Sequence, residues 1–461
     1  MVTPQFNEIR RREPEGRGDL VRWGVVFALS FWLTSINHAQ AFSIIRDDEV
    51  ESTIRQLVTP ILKSAGIPHE SVSIYILNDP NINAFVFGGQ NIFLNTGLIN
   101  FSNTPETLLG VLAHEIGHIV GGHILAKKEQ IEMLQKKLFL NMAVGFLAGA
   151  LTKSTEGGMG ALMGMNDADE RMFLKYNRLQ ENEADSAAIK YLGRTGIPND
   201  GLVELLQHFS HNQKLFSPDM DPYLSTHPVS DERINHLKSA EKKTSTGKNF
   251  LTPELRDKYA RVVAKIKAWS SENLQEVLHE YNKSDATNYY ARSIVYFRLS
   301  DFNKANQELQ NALASEPNNA YFHEQLAQFY FETGKVSDAL KEYAKAHQLN
   351  LKSVSISIGY AQTLINIASN PKEAIKVLEL VLSIEPLNSM AWKLLGLAYK
   401  QANQPSNSNI AFAWEALLKG DLETANKLIN TVAKEPNLSA KQVLKINDLK
   451  DMLKSEKENI D

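Results

Sequence analysis

The C-terminal half of the chain repeats itself, and the repeat restricts its fold to one kind of architecture. Ala305, Ala339 and Ala374 stand 34 and 35 residues apart, each followed four positions later by a large side chain (Leu309, Tyr343, Leu378). Pro317 and Pro386 fall 12 residues after the first and third of these alanines, where a helix pair would end. A helix pair of this length cannot bury its apolar face alone. Stacked neighbours supply the missing cover, and small residues at the crossing points let the helices approach. Trp392, Leu395, Gly396 and Tyr399 continue the pattern, the register breaks after Tyr399, and residues 420–436 read as one more second helix. The second half is therefore expected to be an α-solenoid with a concave surface for peptides or proteins.

The 461 residues are 43% apolar, with 49 Lys+Arg against 53 Asp+Glu and a net charge of -4. Such a chain buries cores, and it has no basic excess to grip a phosphate backbone, so no nucleic-acid partner is expected. It contains no cysteine, which excludes disulfides, thiol nucleophiles and thiolate metal sites. Any metal must sit on histidines and carboxylates. At the N-terminus, Arg10, Arg11, Arg12, Arg17 and Arg22 precede an apolar run over 23–33, and Ala39-Gln40-Ala41 has the small-x-small pattern of a signal-peptidase site. Residues 1–41 are expected to be a cleaved secretory signal, because the run falls short of the roughly 20 residues that cross a bilayer.

Behind the signal, Val50, Ile54, Leu57, Val58, Ile61 and Leu62 give residues 47–65 a helical period that stops at Gly66, and residues 72–77 alternate like a strand. Ala84, Phe85, Val86 and Phe87 and the segment 91–95 flank Gly88-Gly89 and read as a β-hairpin. Thr104 as N-cap and Pro105 in the first helical position open a helix expected to reach about residue 140. Residues 141–165 turn rich in Gly, Ala and Met. They read either as a mobile lid or membrane-touching patch, or as a plain loop between two helices. A further helix is expected over 167–192, ending at Gly193, and residues 242–248 read as a polar linker.

The chemistry concentrates on the first of these two helices. His114-Glu115-Ile116-Gly117-His118 has the H-E-x-x-H spacing. Four helical residues advance about 400°, so both imidazoles stand on one face, a turn apart, where they can bind one Zn²⁺. Glu115 lies beside them, placed to take a proton from water at the metal. A third ligand must come from elsewhere. His123 lies nine residues beyond His114, about 180° round a continuous helix, and is expected to face away into packing or solvent. Glu181 is the candidate, with Asp185 one turn on; one carboxylate would bind the metal while the other accepts the distal N–H of a ligand imidazole. Glu183 should point off that face. An acidic helix face that is simply solvated is the alternative.

His114-Glu115-x-x-His118, then Glu181-x-x-x-Asp185, then Ser225-Thr226-His227-Pro228 with Arg233 resemble the M48 family of zinc metallopeptidases. The C-terminal periodicity is that of tetratricopeptide repeats, and with the signal segment it makes the chain similar to the family's periplasmic, repeat-bearing members. The resemblance covers essentially the whole chain. It implies one Zn²⁺ per chain held by His114, His118 and Glu181, with Glu115 as general base and Asp185 in support. His227 would be a further ligand that plugs the open position and keeps the enzyme latent. His227 or Arg233 are candidates to stabilise an oxyanion, Arg233 being alternatively a support behind the ligand residues or an interdomain ion pair.

The fold implied is mainly α: a gluzincin-like α+β metallopeptidase domain with a small β-sheet over residues 42–245, a linker and leading helices over 246–285, and a repeat solenoid over 286–461. The function implied is a periplasmic zinc endopeptidase with a chaperone-like role. It would act on misassembled outer-membrane β-barrel proteins, with the β-barrel assembly machinery as partner and peripheral membrane contact through 141–165. From the sequence itself, extended substrate would add along Ala84, Phe85, Val86 and Phe87 as a further strand, or the hairpin has no ligand role. The competing reading is an assembly scaffold that works through its repeats, with a latent or vestigial protease site.

Overall fold

The computed structural model describes residues 44–87, 89–123, 167–215, 223–224, 227–241, 249–367 and 370–458. The expected signal (1–41), the Gly/Ala/Met segment (141–165), the linker 242–248 and Ser225-Thr226 lie outside the described residues.

The sheet has four strands, β1 (Ile44–Ile45), β2 (Ser73–Leu77), β3 (Ala84–Phe87) and β4 (Asn91–Asn95), in the order β1-β2-β4-β3. The expected hairpin is present: β3 and β4 run antiparallel with Phe87 opposite Asn91, and Gly89 supplies a positive φ of 100° in the turn. β2 pairs with β4 in parallel, which leaves β3 last in the order. Tyr75, Phe85 and Phe93 stack across three neighbouring strands at 5.1 and 5.2 Å between rings, stiffening one face.

Helices cover the other face. α1 (Asp48–Ala65) is capped by Asp47, whose side chain accepts from the Val50 amide. It buries Ile54, Leu57, Val58, Ile61 and Leu62 completely. After the short α2 (Thr96–Phe101), α3 (Pro105–Val120) carries the H-E-x-x-H residues through the centre of the domain. Thr104 sits at the N-cap of α3 but caps no amide; its hydroxyl faces that of Thr107 at 3.3 Å. α3 ends at Val120 instead of continuing toward residue 140, because Gly121 and Gly122 (φ 63°) turn the chain. α4 (Asp167–Thr195) runs through Gly193 to three residues beyond the expected last helical residue, 192, and stops at Gly196. α5 (Asp200–Leu215) and α6 (Asp231–Glu241) complete the part that precedes the repeats, and α5 packs along α3.

The stretch expected to be linker and leading helices contains α7 (Pro253–Ser270), which belongs to two cores at once. Its Tyr259, Val262, Val263 and Ile266 join the N-terminal core, while Ala264 and Ala268 join the first repeat core. After α8 (Leu274–Glu280), five helix pairs follow: α9 (Ala286–Arg298) with α10 (Phe302–Ser315), α11 (Ala320–Glu332) with α12 (Val336–Leu349), α13 (Val354–Asn366) with α14 (Pro371–Ile384), α15 (Ser389–Gln401) with α16 (Pro405–Leu418), and α17 (Leu422–Val432) with α18 (Ala440–Glu458). The periodic alanines 305, 339 and 374 are all buried at helix crossings, as the spacing requires.

The repeats also meet the N-terminus of α1. The Ser355 amide donates to Asp48 Oδ2 at 2.9 Å, Lys265 Nζ lies 2.6 Å from Asp47 and 3.2 Å from Glu49, and the Tyr290 hydroxyl donates to Glu49 at 3.1 Å. Glu49 and Lys265 are buried, so this pair joins the N-terminal part to the first repeats through desolvated charge. Among the described residues no helix is long and apolar enough to cross a membrane.

Candidate metal centre

α3 is apolar around nearly its whole circumference, with Leu108, Leu109, Val111, Leu112, Ala113 and Ile116 fully buried, yet His114, Glu115 and His118 are buried among them. Ionisable groups persist in such surroundings only when partners compensate their lost hydration. α4 brings the partners. Gly117 makes this possible, since a Cβ there would lie 2.9 Å from both the Cα and the carbonyl oxygen of Ala184. The absence of a side chain lets the two helices touch, and Glu181 and Asp185, one turn apart on α4, face His114 and His118.

A third segment closes the cluster. The His227 amide donates to the Tyr223 carbonyl at 2.8 Å, and its ring lies on the Tyr223 ring (4.9 Å), itself stacked on Phe209 (4.5 Å). This column aims His227 Nδ1 at the centre. His114 Nε2 lies 3.1 Å from His118 Nε2, 3.4 Å from Glu181 Oε2 and 3.4 Å from His227 Nδ1. His118 Nε2 lies 3.3 Å from Glu181 Oε1, and His227 Nδ1 3.2 Å from the same oxygen. One donor atom from each of the four residues falls within 4.8 Å of all the others. Bonds of about 2.0–2.1 Å in a tetrahedral zinc site place the donor atoms about 3.3–3.4 Å from one another. The spacing and the nitrogen-oxygen donor set fit that ion.

The electrostatics also call for a cation. Arg233 is buried, and Nε and Nη2 of its guanidinium donate to Asp185 at 2.7 and 2.9 Å. Its Nη1 reaches Glu181 at 2.8 Å and the Pro228 carbonyl at 2.8 Å. His114 Nδ1 lies 2.9 Å from Asp185 Oδ1. Burial alone would raise Asp185, but His114 and Arg233 hold it down to about 2. Burial would raise Glu181 too, yet the three histidines keep it well below the ordinary carboxylate range. His114 is pushed up to about 10 because Asp185 and Glu181 outweigh the burial of its ring, whereas burial drives His118 down to about 3. Two ionised carboxylates beside a single guanidinium draw further positive charge into the cluster, which a proton on His114 supplies and a metal ion would supply in its place. Glu115 differs: burial raises its carboxyl, and its Oε1 is buried without a hydrogen-bond partner among the described residues.

His114, Glu115, His118, Glu181, Asp185, His227 and Arg233 thus converge, and the imidazole that Asp185 holds is that of His114. Arg233 was expected at an oxyanion, in support of the ligand residues, or as an interdomain ion pair. Its contacts give it the supporting place, as the counter-ion of Asp185 and Glu181 with its donors already engaged. The residues Ala84, Phe85, Val86 and Phe87 stand apart from the cluster, on a strand that packs beside α3. His123 does not face away. The turn at Gly121-Gly122 brings its ring back to His118, Nδ1 to Nδ1 at 2.9 Å, with Nε2 3.0 Å from Glu183. Two adjacent glycines after the second histidine were the signal that the helical angle no longer applied. Tyr223, which seats His227, left no such trace.

Residues 45–241 match peptidase family M48, and residues 296–348 match a tetratricopeptide repeat. The chain is similar to the Beta-barrel assembly-enhancing protease of Escherichia coli (strain K12), 24% identical over 406 residues that span 87% of this chain and 82% of that one. The protein of the same name from Yersinia pestis is 23% identical over 410 residues, 86% of this chain and 82% of the other. The mitochondrial metalloendopeptidase OMA1 of Bos taurus is 27% identical over 193 residues, 41% of this chain and 36% of its own.

Proposed function

The chain carries a peptidase family M48 domain joined to tetratricopeptide repeats and is a metalloendopeptidase, and we propose that it uses one zinc ion to cleave misassembled outer-membrane β-barrel proteins in the periplasm. The observation that carries this reading is the four-donor cluster of His114, His118, Glu181 and His227 with the uncommitted carboxylate oxygen of Glu115 beside it. His114, His118 and Glu181 would hold the ion. Zinc in such a set lowers the pKa of a water toward about 7 and polarises a carbonyl.

The remaining steps belong to the chain. Glu115, whose carboxyl is raised by burial, takes the proton of the attacking water and returns it to the leaving amine. Asp185 fixes the His114 tautomer by accepting from Nδ1, and Arg233 keeps Asp185 in place. His227 fills the position that a substrate carbonyl would need, so the resting enzyme is latent until the segment seated on Tyr223 withdraws. An extended segment would lie along β3, beside α3, with its selection left to the repeats. The signal-like residues 1–41 support the periplasmic location, and the name of the Escherichia coli and Yersinia pestis relatives, Beta-barrel assembly-enhancing protease, supports the substrate class.

A second reading draws on His227: a site that closed suits an assembly scaffold with a chaperone-like role, in which cleavage is occasional. Quantitative comparison of outer-membrane proteins in cells carrying wild type, a deletion or Glu115→Gln separates the two. The protease reading expects β-barrel proteins to accumulate, bound to the Glu115→Gln protein. Complete rescue of the deletion by that variant would favour the scaffold.

A further inference from the structure

We propose that His123 and Glu183 form an outer relay that orients His118, so that the second imidazole of the centre is supported by a carboxylate at one remove, as the first is directly by Asp185. The inference rests on the reading of His118 as a metal ligand. His118 presents Nε2 to His114 and Glu181. In its neutral, ligating form the ring's proton therefore sits on Nδ1, and the acceptor facing it is His123 Nδ1 at 2.9 Å. Accepting there leaves the His123 proton on Nε2, which donates to Glu183 Oε2 at 3.0 Å. Each imidazole makes the donation that its tautomer allows, and the chain ends on an anion.

The surroundings are built for this arrangement. His123 is only 5% exposed, and its ring meets that of His118 edge to face, centroids 5.1 Å apart. Gln180 donates to the His123 carbonyl at 3.5 Å, tying the turn to α4. A Cβ on Gly121 would lie 2.3 Å from His123 Nε2, so the ring occupies the space that glycine leaves. Glu183 is largely exposed, 70% by its side chain, and thus brings the negative end of the relay to the solvent edge without a desolvation cost. Partners that orient a ligating histidine typically contribute about 10–100-fold in metal affinity.

The test is zinc affinity of the full chain by chelator competition, with the thermal midpoint of the metal-free protein recorded for each variant. His123→Ala should bind zinc about 10–100-fold more weakly, Glu183→Gln should weaken it by a smaller factor, and His123→Asn, whose carbonyl can accept from His118, should recover most of the loss. The metal-free midpoint of His123→Asn should match that of His123→Ala, which separates orientation of the ligand from packing. Zinc affinity of His123→Ala within twofold of wild type would overturn the relay. So would a loss that His123→Asn does not recover. If His118→Ala binds zinc as tightly as wild type, the ligand set itself is wrong, and the relay falls with it.

Discussion

His227 Nε2 lies 3.6 Å from Glu115 Oε1, while Nδ1 of the same ring lies 3.2 Å from Glu181. One imidazole therefore faces both the ligand set and the carboxylate that would serve as base. Its removal should open the site and free the base together. His227→Ala is expected to raise cleavage of an unfolded protein about tenfold, the change produced when a conformational equilibrium shifts by about 1.4 kcal/mol. Zinc content should stay at one per chain. An unchanged cleavage rate at unchanged zinc content would count against latency.

Glu115→Gln keeps the shape of the side chain but cannot accept a proton. Cleavage should fall by about 10²–10⁴-fold with zinc content and thermal midpoint preserved, because Glu115 touches the cluster through His227 rather than as one of its four donors. Loss of zinc in this variant would place Glu115 among the ligands.

Arg233→Ala leaves Asp185 and Glu181 buried without their guanidinium. Removing one member of a buried ion pair costs about 3–5 kcal/mol, and the unfolding midpoint in denaturant should fall accordingly. Addition of zinc should restore part of the loss by supplying positive charge to the same carboxylates. A surface-like effect of under about 0.5 kcal/mol would show that Arg233 is not their counter-ion.

Gly117→Val tests the helix contact independently of any charge. The side chain would strike the Ala184 backbone, and overpacking of this kind costs about 1–3 kcal/mol. Because α4 must move away from α3, zinc affinity should drop as well, although no donor atom has been altered. Chelator competition alongside denaturation measures both.

The repeat junction carries a pH dependence. Glu324 faces Lys265, Asp47 and Asp48 and accepts from the Ser355 hydroxyl at 2.8 Å. Burial pushes its carboxyl up to about 8, against the pull of Lys265 and with Asp47 and Asp48 adding to the rise. The folded state thus holds this proton more tightly than the unfolded one, whose carboxyl titrates near 4.3. The associated stability is fully present below about 4.3 and is lost as pH rises through about 8. The thermal midpoint of wild type should fall between pH 6 and 9, and Glu324→Gln should flatten that fall. Parallel profiles for the two proteins would remove Glu324 from the account.

Features that depend on residues a few positions apart were legible before any coordinates. Helical geometry alone sets His114 and His118 on one face, and does the same for Glu181 and Asp185; the period of 34 residues alone sets Ala305 and Ala339 at equivalent crossings. The hairpin was legible for the same reason, two alternating runs about a glycine turn. Where the helical extrapolation met Gly121-Gly122, it failed, and with it the expected direction of His123. Glu181 was a candidate from its spacing to Asp185, and His227 as a fourth donor came from resemblance alone; nothing local ties either to His118.

What the sequence determined by itself, then, is the set of faces: a pair of histidines with a glutamate on one helix, a pair of carboxylates on another, and a stack of helix pairs behind them. Tertiary structure decided which faces meet. His114 and His227 are 113 positions apart in the chain, and their distance is set by a glycine that lets α3 touch α4, by the Phe209-Tyr223 column under His227, and by an arginine that locks Asp185. These are packing and desolvation effects between distant segments, and a burial that excludes water is what gathers these ionisable residues into a candidate metal centre.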